Sequence, residues 1–177
     1  MNGCLSGLVA ITANCSVVEP WAAVVIGFIA GLVYVFSSKF LVMLKIDDAV
    51  DAIPVHFFNG IWGCLATGAF ASPRHTLVAY GVDSGGFFYG KGGALLACEI
   101  LGVLFIIAWT AGLMFPFFTV LKIFGMFRVD PLEEKVGLDI SHHKGRAYDL
   151  AGPDEDDIAA HHASKHGAPQ PAYEVSA

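Results

Sequence analysis

Charged residues are scarce in this chain of 177 residues: 15% are Asp, Glu, Lys or Arg, whereas 55% are hydrophobic. A soluble globular domain carries about 25% charged residues, so this chain has too few charges to cover a soluble surface of its size. Basic residues are particularly scarce, since ten Lys and Arg stand against sixteen Asp and Glu. This composition excludes a nucleic-acid-binding protein and a largely disordered chain.

Paired cysteines and catalytic clusters are also lacking. None of the four cysteines belongs to a C-x-x-C pair, which excludes the usual zinc and redox motifs. No nucleophile–base pair or metal-ligand spacing occurs in the apolar segments. The sequence therefore predicts neither an enzyme nor a site for a metal or another cofactor.

The charges that do occur are distributed unevenly. Residues 1–126 hold five basic and six acidic residues, whereas residues 127–177 hold five basic and ten acidic ones. The chain thus divides into an apolar body and an acidic tail. Within the tail, residues 127–149 form a polar segment, and residues 150–177 have the acidic, histidine-rich and proline-containing composition typical of disorder.

Long hydrophobic runs are abundant in the body. A transmembrane helix needs about 20 apolar residues, and four candidate spans cover about residues 2–18, 20–43, 52–72 and 92–122. The sequence therefore predicts an all-α polytopic membrane protein with four transmembrane helices. A soluble protein with deeply buried helices is the weaker alternative, because four such runs follow one another with short polar turns between them.

The basic residues suggest an orientation for these spans. With four spans both chain ends lie on one side, and the excess of Lys and Arg on that side favours the cytoplasm for both. The basic residues on the side of the termini are Lys39, Lys45, Lys122 and Arg128, and those on the other side are Arg74 and Lys91.

The third span carries one ionisable group among small and polar residues. Helical spacing places the following residues on one face: His56, Asn59, Gly60, Gly63 and Thr67. An ionisable side chain inside a span is a functional candidate, and histidine as a residue type can hold or pass a proton near neutral pH. Two interpretations stay open, namely a histidine beside a narrow passage and a histidine bonded to a neighbouring helix.

Three aspartates crowd the turn before this span. Carboxylates near a helix N-terminus cap the helix and interact favourably with its dipole, which we predict for Asp47 and Asp48. Asp51 lies closer to the span, and we expect it to hold the start of the helix or to line an inner vestibule. Glu99, early in the fourth span, is interpreted as interfacial or paired and has no assigned role.

Four stretches in a fixed order carry a resemblance to a known family. They read N-G-C-L-S-G-L-V-A-I-T from residue 2, V-E-P-W-A-A from residue 18, D-D-A-V-D-A-I-P-V-H from residue 47 (with N-G-I-W-G from residue 59), and G-L-D-I-S-H-H from residue 137. Together they resemble the last four spans and the cytoplasmic tail of the ammonium transporter family (Amt/Mep/Rh). The resemblance implies four helices of an ammonium-transporter-like eleven-helix bundle, built from two inverted halves and a final helix.

The resemblance also implies a function and roles for particular residues. Family members move ammonium or ammonia through a narrow hydrophobic pore lined by two histidines, and His56 matches the second of them as a pore and proton-relay residue. Asp51 and Thr12 match positions that support the pore, and Asn59, Gly60 and Gly63 are expected beside it. The bulky pair Phe57-Phe58 departs from the small residue that many members have after this histidine.

Partners and regulation follow from the same resemblance. It implies a plasma-membrane protein in a lipid bilayer that assembles as a homotrimer or with full-length subunits. The tail segment 127–149 is expected to dock beneath a neighbouring subunit and gate the pores, and Ser141 is a candidate phosphorylation site in it. A phosphate there would add up to two negative charges.

The sequence thus predicts an ammonium transmembrane transporter in the form of a C-terminal fragment. The start of the chain directly at the first span, at Met1, favours truncation. The alternative is a non-conducting truncated subunit or partial gene product that only assembles with, or regulates, full-length transporters.

Overall fold

The computed structural model describes residues 1–131, 134 and 137. Every regular element in that part of the chain is helical, which confirms the all-α prediction. The elements are α1 (Asn2–Thr12), α2 (Pro20–Met43), a π-helix (Ile53–Phe58) that runs directly into α3 (Asn59–Phe70), α4 (Pro73–Tyr80), a 3₁₀ turn (Phe87–Tyr89) and α5 (Ala94–Ile123). Ser141 and the predicted disordered segment 150–177 lie outside the described residues.

Two helices are long and apolar enough to cross a membrane, namely α2 with 24 residues and α5 with 30. They coincide with the second and fourth predicted spans. The first predicted span contains only the 11-residue α1, which is about 17 Å long and too short to cross the ~30 Å hydrocarbon core. The third is divided between the π-helix and α3, so the count of four spans stays a prediction.

Proline and glycine set several of these boundaries. Pro20 and Pro73 occupy the first turns of α2 and α4, where a helix does not need the missing N–H. Gly81 ends α4 with a φ of 70°, which a residue without Cβ adopts at no steric cost. Helix α4 is a correction to the sequence analysis, which predicts a long loop, rich in glycine and aromatic residues, between the third and fourth spans.

By its internal contacts the chain divides into two compact units, residues 1–112 and residues 113–177. In the first unit, α1, α2 and α3 contact one another. Their shared core is built largely from small side chains, which let helix backbones approach closely. The buried members are Ala10, Ala22, Ile26, Ala30, Ala66 and Phe70.

The described part of the second unit contains the last residues of α5 and the segment after it. Pro116 lies inside the helix. Three aromatic rings contact one another edge to face, with 5.4 Å between the centroids of Phe117 and Phe118 and 5.5 Å between those of Phe118 and Phe127. The Arg128 guanidinium lies 5.9 Å from the Phe127 centroid, a cation–π contact.

Candidate functional site at the start of the histidine helix

The π-helix that carries His56 begins at a side-chain cap. The Asp48 carboxylate accepts hydrogen bonds from the backbone N–H groups of Ala52 at 2.9 Å and Ile53 at 2.7 Å. These are N–H groups that the first turn of a helix leaves unpaired. The predicted capping role is confirmed for Asp48, and no such bond to Asp47 is found within residues 1–131.

Asp51 joins this helix start to two other helices. Its carboxylate accepts hydrogen bonds from the Tyr34 hydroxyl at 2.8 Å, the Ser38 hydroxyl at 3.0 Å and the Asn2 side-chain amide at 3.1 Å. The Tyr34 and Ser38 hydrogen bonds are the main reasons why the pKa of Asp51 lies below its usual value. Asp51 also adopts a φ of 56°, a left-handed conformation that is unusual for a residue other than glycine. Asp51 therefore connects the start of the π-helix to α1 and α2.

The π-helix is fixed from the side by Asn59. The Asn59 amide nitrogen donates a hydrogen bond of 2.9 Å to the carbonyl oxygen of Pro54, and both residues are fully buried. The amide oxygen of Asn59 is also buried and has no hydrogen-bond partner in the described part of the chain. One-turn π-helices inside α-helices occur frequently at functional sites.

Residues that helical spacing places on one face differ in their exposure. Asn59, Gly63 and Thr67 are buried, whereas the His56 side chain is exposed. Spacing rules assume 3.6 residues per turn, and the π-helix has a wider turn with i→i+5 hydrogen bonds, which shifts residues before it relative to those after it. The placement of His56 on one face with Asn59, Gly63 and Thr67 stays a prediction.

The two glycines near His56 have different surroundings. A Cβ atom at Gly63 would lie 2.6 Å from the carbonyl oxygen of Ala10, so Gly63 allows α3 to pack directly on α1. The Gly63 carbonyl also accepts a 3.0 Å hydrogen bond from the Asn14 side-chain amide. A Cβ atom at Gly60 would meet nothing within 4 Å. Thr12 is exposed, and its hydroxyl donates to the Val9 carbonyl of its own helix at 2.7 Å.

A second polar cluster, which the sequence analysis missed, lies where α2 and α4 begin. The Glu19 carboxylate lies 3.0 Å from the His75 imidazole and accepts a 3.2 Å hydrogen bond from the Ser72 hydroxyl. The His75 hydrogen bond is the main reason why the pKa of Glu19 is lowered, against the opposing effect of burial. Within the described residues, no group of three or more His, Cys, Asp or Glu side chains is arranged to hold a metal ion.

Comparison with known proteins identifies the family. The model of the Ammonium Transporter Family matches residues 1–148. The chain belongs to the ammonium transporter family. Ammonium transporter 3 of Dictyostelium discoideum is 42% identical over 149 residues, which cover 84% of this chain and 35% of that protein. Ammonium transporter 1 member 3 of Oryza sativa subsp. japonica is 42% identical over 149 residues, covering 83% and 30%.

Solved structures of ammonium transporter family members share the fold. A structure titled Sensor Amt Protein matches with a TM-score of 0.66 and 37% identity over 80% of this chain and 33% of that one. The crystal structure of Saccharomyces cerevisiae Mep2 matches with a TM-score of 0.65 and 25% identity over 85% and 35%. The chain thus spans about a third of the length of the relatives it matches.

Proposed function

We propose that this chain forms the His56-bearing part of a membrane pathway for ammonium or ammonia. The observation that carries the proposal is the position of His56. Its side chain is exposed on the π-helix, and no hydrogen bond or ion pair to the ring is found within residues 1–131. A histidine whose task was to connect α3 to α1 or α2 would have a partner on one of those helices, so its surroundings favour the pore interpretation.

The chemistry of the imidazole fits this task. A bare cation is costly inside a membrane, so a dry pathway conducts ammonium more easily when the ion gives up its proton. A neutral imidazole has one donor and one acceptor nitrogen, and it can accept a proton on one nitrogen while it releases one from the other. The family resemblance pairs His56 with another histidine from a part of the fold that this chain does not match.

The contacts around His56 support a fixed position for the ring. Asp48 caps the helix start, Asp51 ties it to α1 and α2, and Asn59 bonds across the π turn. Each of these contacts acts on backbone or side chains within a few residues of His56. Catalytic and transport groups must be held by their surroundings to about half an ångström to function, and these three residues supply that support.

Family membership supports the remaining features of the proposal. The chain acts in a lipid bilayer, in the plasma membrane, with both of its termini on the cytoplasmic side. It assembles as a homotrimer or together with full-length subunits, and ammonium or ammonia is its substrate. The two long apolar helices α2 and α5 agree with a membrane location.

Growth of a yeast strain without its own ammonium transporters tests the proposal. The chain is expressed as the C-terminal part of a longer protein, joined to the N-terminal part of a full-length relative, and growth and methylammonium uptake are measured at low ammonium. We expect rescue by the joined protein and a loss of uptake of about a hundredfold or more when it carries His56→Ala, the size typical for removal of a proton-transfer group. His75→Gln is the matched control, because it replaces a histidine outside the π-helix. Rescue by His56→Ala at the native level would contradict the role of His56.

The alternative function is that of a non-conducting subunit, and the same strain distinguishes it. In that case the joined protein gives no rescue, but co-expression of the chain with a full-length relative changes the uptake by that relative. His56→Ala would then act like the native chain in co-expression. Surface biotinylation of the expressed chain ensures that a lack of rescue reflects conduction rather than a failure to reach the membrane.

A further inference from the structure

A cavity of about 320 Å³ lies on the side of the first unit opposite Asp51. It is lined by the turn after α1, by the C-terminal end of α3, by α4 with the loop after it, and by the first turns of α5. His56 does not line it. The volume is in the range of sites for small organic molecules.

A carboxylate of α5 lines this cavity. Glu99 is half-buried and lines the cavity together with Thr67 of α3. The helices approach closely here, since a Cβ atom at Gly68 would lie 2.5 Å from the Leu96 Cα. Glu99 is one turn after Leu96 on α5, so it lies near this close approach, in the wall of the cavity.

Glu99 needs a partner that the described residues do not provide. No hydrogen bond or ion pair to its carboxylate is found within residues 1–131, and no Lys, Arg or His side chain lines the cavity. An ionised carboxylate in a membrane span is costly unless it is paired. A cation in the cavity would offset that cost.

Two threonine hydroxyls in the wall of the cavity are arranged as acceptors. The Thr67 hydroxyl donates its hydrogen to the Gly63 carbonyl at 3.1 Å. The Thr76 hydroxyl donates to backbone carbonyls, one of them that of Ser84. With their hydrogens used in this way, both hydroxyl oxygens can only accept a bond from a ligand. Tyr80 and Ser84 also line the cavity, and the rest of the wall is apolar and includes Val17 and Leu95.

We propose that this cavity binds a small primary alkylammonium ion, with the Glu99 carboxylate as its counter-ion, the Thr67 and Thr76 hydroxyl oxygens as acceptors for its N–H groups, and Val17 and Leu95 around its alkyl chain. The site goes beyond the proposed function, because it contains none of the residues assigned to the pathway at His56. It gives Glu99 a role that its position in the sequence did not reveal.

Thermal unfolding of the purified full chain in detergent tests the site, because a ligand that binds the folded state raises the unfolding temperature by mass action. The probe is propylammonium chloride, and 1-propanol and sodium chloride at the same concentrations are the comparisons. We expect a rise with propylammonium alone. Glu99→Gln should weaken the apparent affinity about tenfold or more, as for loss of a charged hydrogen-bond partner. Equal stabilisation by 1-propanol, or by sodium, would overturn the assignment of an alkylammonium ion.

Matched variants distinguish propylammonium binding at Glu99 from a general effect of negative charge and from transport at His56. Asp83→Asn removes an exposed carboxylate that already pairs with Lys91 at 2.7 Å, so it should leave propylammonium binding unchanged. Glu99→Asp keeps the charge but moves it, and should retain part of the binding. His56→Ala should bind as the native chain does, even where it loses transport. Unchanged binding in Glu99→Gln, or equal losses in Glu99→Gln and Asp83→Asn, would contradict the proposal.

Discussion

The side-chain amide of Asn59 bonds to the carbonyl of Pro54 five residues earlier, at 2.9 Å and away from solvent. This separation equals the hydrogen-bond step of a π-helix, so the contact fixes the wide turn that contains His56. An ordinary α-helical turn would bring Asn59 and His56 to the same face. The contact therefore helps to direct His56 outward while Asn59 stays in the interior.

Asn59→Leu should loosen this turn. Loss of the amide leaves the buried Pro54 carbonyl without its side-chain donor, which typically costs about 1–3 kcal/mol. We expect amide hydrogen exchange in residues 53–58 to accelerate about tenfold or more, because local opening controls exchange. Thr12→Val is the control, since Thr12 bonds only within its own helix. Equal exchange in Asn59→Leu and the native chain would contradict this role.

Gly63 and Gly60 offer a matched pair of substitutions in one helix. Gly63→Ala forces a Cβ atom against the Ala10 carbonyl and should destabilise the protein by about 1–3 kcal/mol, the usual cost of overpacking. Gly60→Ala meets open space and should stabilise the helix by about 0.5–1 kcal/mol. Chemical unfolding in detergent measures both. If Gly60→Ala were the more damaging of the two to stability, the packing argument would fail.

The carboxylate of Asp51 should make the stability of the fold depend on pH in the acid range. Its folded-state pKa lies below the usual 3.8, so its contribution is present above that pH and is lost as pH falls through the lowered folded-state value. We expect the unfolding temperature to fall more steeply on acidification in the native chain than in Asp51→Asn. Tyr34→Phe removes the largest cause of the lowered pKa and should give an intermediate slope. If the unfolding temperature fell equally steeply with pH in all three proteins, the ionised Asp51 carboxylate would not stabilise the fold.

The long helices could be predicted from the sequence because their signal is local and uniform. The predicted span 20–43 coincides with α2, and the span 92–122 differs from α5 by a residue or two at each end. Helix α4 escaped prediction because it is short and depends on tertiary contacts, such as the 2.8 Å bond from the Ser72 N–H to the Val17 carbonyl. Its sequence signals were the Ser72-Pro73 start and Gly81 at the end.

In the candidate site too, features that depend on neighbouring residues could be predicted from the sequence, whereas features that depend on distant residues could not. Capping by Asp48 follows from a local rule and was predicted. The donors to Asp51 come from positions 13 to 49 residues away, so no spacing rule can reveal them. The orientation of His56 depends on a π turn, and helical projection assumes that no such turn exists. The sequence could therefore identify His56 as the ionisable group of its span, but not the direction in which its ring points.

The pairing of Glu19 with His75 connects the start of α2 to α4 and leads to a last prediction. The pKa of Glu19 is lowered from 4.5 chiefly by His75, so the pair stabilises the fold above that pH, and its contribution disappears as pH falls through the lowered folded-state value. In the Asp51→Asn variant the unfolding temperature should still fall on acidification. Adding Glu19→Gln should make that fall less steep.

A double-mutant cycle with His75→Gln, measured by unfolding temperature at neutral and acid pH, isolates the pair. The coupling between Glu19 and His75 should be present at pH 6 and weaken towards pH 3, as the carboxylate takes up protons. The matched pair Asp83 and Lys91 is more exposed, with 69% and 39% of the side chains accessible, and surface ion pairs contribute little. Its coupling should be smaller at pH 6. A coupling between Glu19 and His75 that persisted unchanged at pH 3 would show that packing rather than charge joins α4 to the start of α2.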